Sequence, residues 1–214
     1  TLIISADPNK TEADREGTIT VKTPSLTHTI SVSQPVYSRP DTPESIASAE
    51  DLVYWLGTCA PYYEQDESIT LSKDIDMSDV TDFIPAENFA GTFDGQGHKI
   101  MNWKSAGQPL FVKNSGKITG VTIDASCSFT IQSSADNIYF GPFAMHNYGQ
   151  IADCRNNASI TVPTDASVNK IYIGGIASYN YEGASISCCV NTGEFAFRPS
   201  KVDDNMFIGG ITAY

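Results

Sequence analysis

Any chemistry this chain performs has to come from a few scattered groups. Asp74 and Asp76 stand two residues apart in Asp74-Ile75-Asp76-Met77-Ser78-Asp79, which turns both carboxylates to one side of a strand. Such a pair suits calcium binding or proton transfer, but Asp also serves turns by accepting from nearby backbone N–H groups. The turn role is the reading adopted for this pair. His98 follows Asp94 closely, yet no nucleophile is placed beside them, so the pair does not complete an acid/base or nucleophilic set. Asp124 and Asp153 have no evident partners, and Arg155 and Arg198 are the only arginines in the repeat-bearing part of the chain. No catalytic residue, metal ligand or cofactor is assigned.

The five cysteines are Cys59, Cys127, Cys154, Cys188 and Cys189. They are odd in number and lack paired C-x-x-C spacing, so neither a zinc site nor a full disulfide framework is signalled. Buried free thiols are the expectation, since unpaired Cys packs as a small hydrophobe. Cys154 and Cys189 each lie three residues after an Ile, in the same repeat column. Adjacent strands would bring their backbones within ~5 Å, which permits a bridge on Cα separation, with stacked thiols as the plainer alternative.

These groups are embedded in a repeat. Gly174-Gly175-Ile176-Ala177-Ser178-Tyr179-Asn180-Tyr181-Glu182-Gly183-Ala184-Ser185-Ile186 has an upstream copy in Gly141-Pro142-Phe143-Ala144-Met145-His146-Asn147-Tyr148-Gly149-Gln150-Ile151. Leu110-Phe111-Val112-Lys113-Asn114-Ser115-Gly116-Lys117-Ile118 matches the same frame, and Gly209-Gly210-Ile211 opens it again. Asn114, Asn147 and Asn180 thus form one column. A fixed period of this size indicates a stacked, quasi-one-dimensional architecture. The asparagines are read as a structural ladder, because Asn tolerates left-handed turns and stacked amides bond to one another. The preceding column reads Lys113, His146, Tyr179 and is expected to face solvent, flanked by Trp103, Tyr148 and Tyr181. Trp103, His146, Tyr148, Tyr179 and Tyr181 are therefore the candidate binding residues, as exposed rings stack on sugar faces. Shielding of strand edges is the alternative role.

Composition bounds the fold. A 214-residue chain at 41% hydrophobic, with 16 Gly, 10 Tyr and 10 Phe, buries a core built mainly of strands and turns. Its formal charge of −12 disfavours nucleic acid and anionic membranes, which need basic patches. No apolar run approaches the ~20 residues of a membrane span. Thr1 begins mid-pattern without a signal peptide, and Tyr214 falls inside a repeat copy, so a longer natural protein is expected. A monomer is expected.

Along the chain, residues 1–37 alternate in Leu2–Ala6, Gly17–Lys22 and Thr27–Gln34, with turns at Asp7-Pro8-Asn9 and Thr23-Pro24-Ser25, as in part of a β-sandwich. On Ala6-Asp7-Pro8-Asn9-Lys10-Thr11, Arg15, Thr18-Ile19-Thr20-Val21 and Ile30-Ser31-Val32-Ser33-Gln34, this segment resembles the BACON domain, an immunoglobulin-like module of bacterial surface proteins. Residues 38–47, with Pro40 and Pro43, read as a linker. From 48 to 214 a capping-box helix starts at Ser48 with Asp51 three residues on and carries Leu52, Val53, Trp55, Leu56 and Cys59. The strands Ser68–Leu71 and Asp74–Asp79 and the tight turn at Asp94-Gly95-Gln96-Gly97 follow. Leu71–Met77 and Phe89–Ile100 resemble the opening of right-handed parallel β-helix surface proteins. Gly174, Gly175, Ile176, Asn180, Gly183, Ile186 and Cys189 resemble the GLUG motif, whose copy at 141–156 has Pro142 for the second glycine and whose match near 110–121 has Val121 for the Cys.

The expected fold is all-β: a right-handed parallel β-helix with a short N-terminal capping helix, preceded by a partial β-sandwich segment. Polar segments at 133–137, 163–167 and 199–204 are expected to leave it as loops. What the resemblances imply is a non-catalytic, adhesin-like module at the bacterial cell surface or outside the cell, binding glycans or surface proteins. The alternatives are the front of a β-helix polysaccharide lyase or glycoside hydrolase, and a stalk.

Overall fold

The computed structural model describes residues 13–34, 40–81, 83–131, 137–162, 167–197 and 201–214, with backbone alone at 167–169 and 201–204. The chain divides into two compact units, Thr1–Pro40 and Asp41–Tyr214. The strand expected at Leu2–Ala6, the turn at Asp7–Asn9, the stretch Ala6–Thr11 and parts of the linker and of the three polar segments lie outside the described residues.

In the first unit, strands β1 (Arg15–Lys22) and β2 (Thr27–Gln34) pair antiparallel from Arg15 opposite Gln34 to Lys22 opposite Thr27. Their β-branched residues favour extended backbone. Pro24 presets the turn, which closes through Thr23 N to Leu26 O at 2.7 Å and Leu26 N to Thr23 Oγ1 at 3.0 Å. Almost every residue of both strands is exposed. The described part is a hairpin in which neither strand buries a face.

The second unit opens with α1 (Ala49–Tyr54). Ser48 caps it by accepting from Asp51 N at 3.0 Å, and Asp51 reaches back to Ala47 N at 3.0 Å. The chain continues through a π-helical turn, Trp55–Cys59, and a 3₁₀ turn, Ala60–Tyr62. Leu52, Trp55, Leu56, Cys59 and Ala60 are buried, and the Trp55 ring stacks on Phe93 at 5.3 Å and meets Phe89 edge-on at 5.6 Å.

The strands that follow correct the expected architecture. They form several separate small parallel sheets of three to five strands, and among the described residues no single solenoid is detected. The reason is local: most strands are two to four residues long and end at sharp corners, several in left-handed backbone at Gln96, Asn102, Asp153 and Cys188. The corners break each layer into short strands, although some main-chain bonds continue through them, as from Asp153 N to Ser187 O at 3.1 Å. One five-stranded sheet runs Ser68–Thr70, Thr92–Asp94, Lys117–Thr119, Gln150–Ala152, Ser185–Ser187. A second takes Ile75–Asp76, Lys99–Met101, Thr122–Ile123, Arg155–Asn156 and Val190–Asn191. A three-stranded sheet joins Phe111–Asn114, Ala144–Asn147 and Ala177–Asn180. Another three-stranded sheet, Asn137–Phe140, Ser167–Gly174 and Lys201–Gly209, uses backbone that the sequence assigned in part to loops. Residues 137 and 167 extend because the alternating apolar residues after them, Ile138, Phe140, Ile171 and Ile173, are drawn into the core, and 201–204 extend by pairing with the strand at 167–174.

Registers are strict. Ile118 lies opposite Phe93 and Ile151, and Ile151 opposite Ile186. Asn114, Asn147 and Asn180 are mutual partners at separations of 33 residues. Asn114 Nδ2 donates to Asn147 Oδ1 at 2.7 Å, and Asn147 Nδ2 to Asn180 Oδ1 at 2.7 Å. Asn114 and Asn147 are wholly buried. None of the three is left-handed; they stand in strands, and their amides also bond backbone, Asn114 Nδ2 to Gln150 O at 3.2 Å and Asn147 Nδ2 to Ser185 O at 3.3 Å. A second pair, Asn156 Nδ2 to Asn191 Oδ1 at 2.9 Å, repeats the device 35 residues apart.

Replacing Asn147 by Ala removes the acceptor of Asn114 Nδ2 and the donor to Asn180 Oδ1. A buried polar group left unsatisfied costs ~1–3 kcal/mol, so urea unfolding of Asn147→Ala is expected to show a loss of about 2–3 kcal/mol. A loss below about 0.5 kcal/mol contradicts the ladder's role.

Candidate functional site

Three residue columns meet on one side of the second unit. Tyr139, Tyr172 and Phe207 are in register in one sheet. Lys113, His146 and Tyr179 are in register in the next. Tyr148 and Tyr181 follow the ladder asparagines by one residue. Because parallel pairing places like residues over one another, the rings stack: Tyr148 on Tyr181 at 4.0 Å and 12°, Tyr139 on Tyr172 at 5.2 Å and 14°, Tyr172 on Phe207 at 4.9 Å and 14°. His146 sits 5.9 Å from both Tyr179 and Tyr181, and Tyr179 is 5.2 Å from Tyr214. Lys113 Nζ lies 4.9 Å above the Tyr148 ring, within cation–π range.

Four of the five candidate rings therefore belong to one cluster, and the fifth does not. Trp103 is 1% exposed, with its ring edge-on to Phe129 at 4.8 Å and beside Phe83 at 5.1 Å. It is a core residue, because the positive-φ corner at Asn102 precedes it and the chain then turns its side chain inward. The stacking also changes what the tyrosines offer. Within a column the facing sides of neighbouring rings cover each other, so the cluster presents mostly ring edges and hydroxyls rather than open platforms.

Those hydroxyls are bonded to one another. Tyr181 OH and His146 Nδ1 are 3.3 Å apart, the hydroxyl donating where Nδ1 carries no proton. The hydrogen bond with Tyr148, and then burial, pushes the Tyr181 phenol up to about 12. Burial, then the bond with Tyr172, raises Tyr179. Burial, with Lys113 adding to it, lowers His146. The phenols and His146 form a donor and acceptor array with the Lys113 ammonium beside it, suited to holding polar groups.

Beside Tyr148 runs a cleft of about 290 Å³ lined by Gln65, Thr92, Ser115, Lys117, Tyr148 and Gln150 over backbone at Gly91, Gly116 and Gly149. Thr92, Lys117 and Gln150 are register partners and form one wall. The floor needs glycine: a Cβ on Gly116 would lie 2.0 Å from Gly91 O, and one on Gly149 2.1 Å from Gly116 O.

Three of the carboxylates singled out in the sequence, Asp76, Asp94 and Asp124, are turn groups. Asp76 accepts from Asn102 Nδ2 at 2.9 Å and Ser78 N at 3.0 Å, and Asp124 from Ser126 N at 3.0 Å. Asp94 holds Gln96 through both backbone and side chain. His98 contacts Asp74, not Asp94: Nδ1 to Oδ1 is 3.2 Å, while Asp74 also accepts from Lys99 N at 2.9 Å. These bonds lower Asp74, chiefly through Lys99 N–H, Asp76, chiefly through Asn102, and Asp124, chiefly through Ser126. Among the described residues no group of three or more His, Cys, Asp or Glu is arranged to hold a metal ion, and no helix is long and apolar enough to cross a membrane. Tyr139, Tyr172 and Phe207 were not singled out in the sequence, although Tyr139 and Tyr172 keep the period of the asparagines.

The His146 shift sets a pH dependence. A depressed folded pKa means that the unfolded chain binds the proton more readily, so stability is full above the ordinary value of 6.5 and falls as pH drops below it. Thermal midpoints measured from pH 7.5 to 5 should decline for the natural chain, and His146→Gln should remove part of that decline. Parallel curves for the two proteins contradict the assignment.

A search of curated proteins and of solved structures gives no match. The BACON family model, described as "Putative binding domain, N-terminal", matches residues 1–35.

Proposed function

We propose that the chain is a non-catalytic binding module of the cell surface or extracellular space, and that it holds a saccharide chain in the cleft beside Tyr148. The observation that carries this reading is the cleft itself: a glycine floor flanked by Thr92, Lys117 and Gln150 on one side and by Ser115 and Tyr148 on the other. A sugar polymer offers many hydroxyls and little charge. It matches a wall of amide, hydroxyl and ammonium groups next to an exposed aromatic edge. Tyr148 is 44% exposed and held from behind by Tyr181, so it contributes contact area with little ordering cost.

Two further supports are sequence likenesses. The match of residues 1–35 is to a binding domain. Gly174, Gly175, Ile176, Asn180, Gly183, Ile186 and Cys189 resemble the GLUG motif, which is associated with adhesins and secreted surface proteins. Asp76, Asp94 and Asp124 each accept from a backbone N–H two residues on, and Asp74 is engaged by the adjacent strand, which supports a structural rather than a proton-transferring role for these four.

Calorimetric titration with a panel of soluble polysaccharides tests the reading. At least one is expected to bind without releasing new reducing ends or unsaturated products, and Tyr148→Ala is expected to weaken it about tenfold, or ~1.4 kcal/mol. Binding that Tyr148→Ala leaves unchanged, or no binding across the panel, overturns the cleft assignment.

A further inference from the structure

Five cysteines are present, and two of them face each other across neighbouring strands. Arg155 and Val190 are register partners, and Val190 N donates to Cys154 O at 3.0 Å, which sets the residues before them, Cys154 and Cys189, side by side. Each thiol reaches the equivalent carbonyl of the layer before it, Cys189 Sγ 3.6 Å from Ile151 O and Cys154 Sγ 3.9 Å from Ile118 O, so the two side chains lie on the same side of their strands. Cys154 is buried beneath, with Sγ 3.2 Å from Ala152 O, while Cys189 is only half-covered, with Sγ 3.3 Å from Ser187 O. Cys188 beside it is exposed, in left-handed backbone that turns it away from the strand.

We propose that Cys189 and Cys154 form a dithiol site that accepts a disulfide bond by exchange with a low-molecular-weight disulfide such as oxidised glutathione. The half-exposed Cys189 thiolate attacks one sulfur of the reagent, forming a mixed disulfide and expelling one thiolate. Cys154 then loses its proton to solvent and attacks Cys189 Sγ, expelling the second thiolate. The two protein thiols are oxidised by two electrons and one reagent disulfide is reduced to two thiols. The order follows from the geometry, since only Cys189 is open to a reagent. The neighbouring Cys154 thiol lowers Cys189 from its ordinary value, whereas Cys189 and burial raise Cys154, which is the same order. The product is a covalent tie between two layers that hydrogen bonds otherwise hold.

The test uses the whole chain, reduced and then treated with oxidised glutathione, followed by thiol titration in denaturant and peptide mass mapping. Two of the five thiols are expected to disappear, with a mass loss of two hydrogens linking the Cys154 peptide to the Cys188–Cys189 peptide. Cys188→Ser should lose the same two thiols, and Cys189→Ser should keep all four of its remaining thiols. The oxidised chain should also melt above the reduced one. Stable glutathione adducts without the internal link, a link that survives in Cys189→Ser, or chains joined through Cys188 would each overturn the proposal.

Discussion

A carboxamide in an apolar interior is tolerated only when its donors and acceptor are met, and in this molecule another carboxamide meets them. Asn114, Asn147 and Asn180 hand a hydrogen bond from layer to layer at 2.7 Å. A slip of one residue in either strand would turn these amides out and bring a neighbour such as Lys113 or His146 inward. The ladder is thus a register device, and the ring columns and the cleft depend on that register. Tyr148 lies on Tyr181, and Thr92, Lys117 and Gln150 form a wall, because each is a fixed number of residues from a ladder position or its sheet.

Apolar burial supplies the driving force but does not by itself choose the alignment. Ile118, Ile151, Phe93 and Phe111 are all fully buried and would pack in more than one order. The glycine floor adds a second constraint. Gly116 and Gly149 sit so close to carbonyl oxygens of the preceding layer that only the observed stacking accommodates them. The helical segment from Ala49 to Tyr62 then covers the aromatic end of the core, with Trp55 laid on Phe93.

Much of this was legible in the sequence, and what was missed has definable causes. The asparagine column, the helix start at Ser48 and the grouping of His146, Tyr148, Tyr179 and Tyr181 follow from spacing alone, since parallel pairing converts equal spacing into contact. A closed solenoid did not follow: repeat spacing fixes which strands pair, whereas the corners at Asp153 and Cys188 decide where a sheet stops. Trp103 was misplaced because the repeat frame starts downstream of it, leaving no column to say which way it points. His98 was set against the nearer Asp94, whereas its partner Asp74 is 24 residues away on the adjacent strand. Local proximity misleads where layers are stacked. The columns also hid what the tyrosines present, because a row of rings in sequence becomes a stack whose faces are already occupied.

The most direct test of the account is a nuclear Overhauser measurement on chain labelled at asparagine side chains. The stacking predicts slowly exchanging carboxamide protons for Asn114 and Asn147, with cross-peaks joining Asn114 to Asn147 and Asn147 to Asn180. Carboxamides that exchange freely with water and show no cross-peaks between residues 33 apart would contradict it.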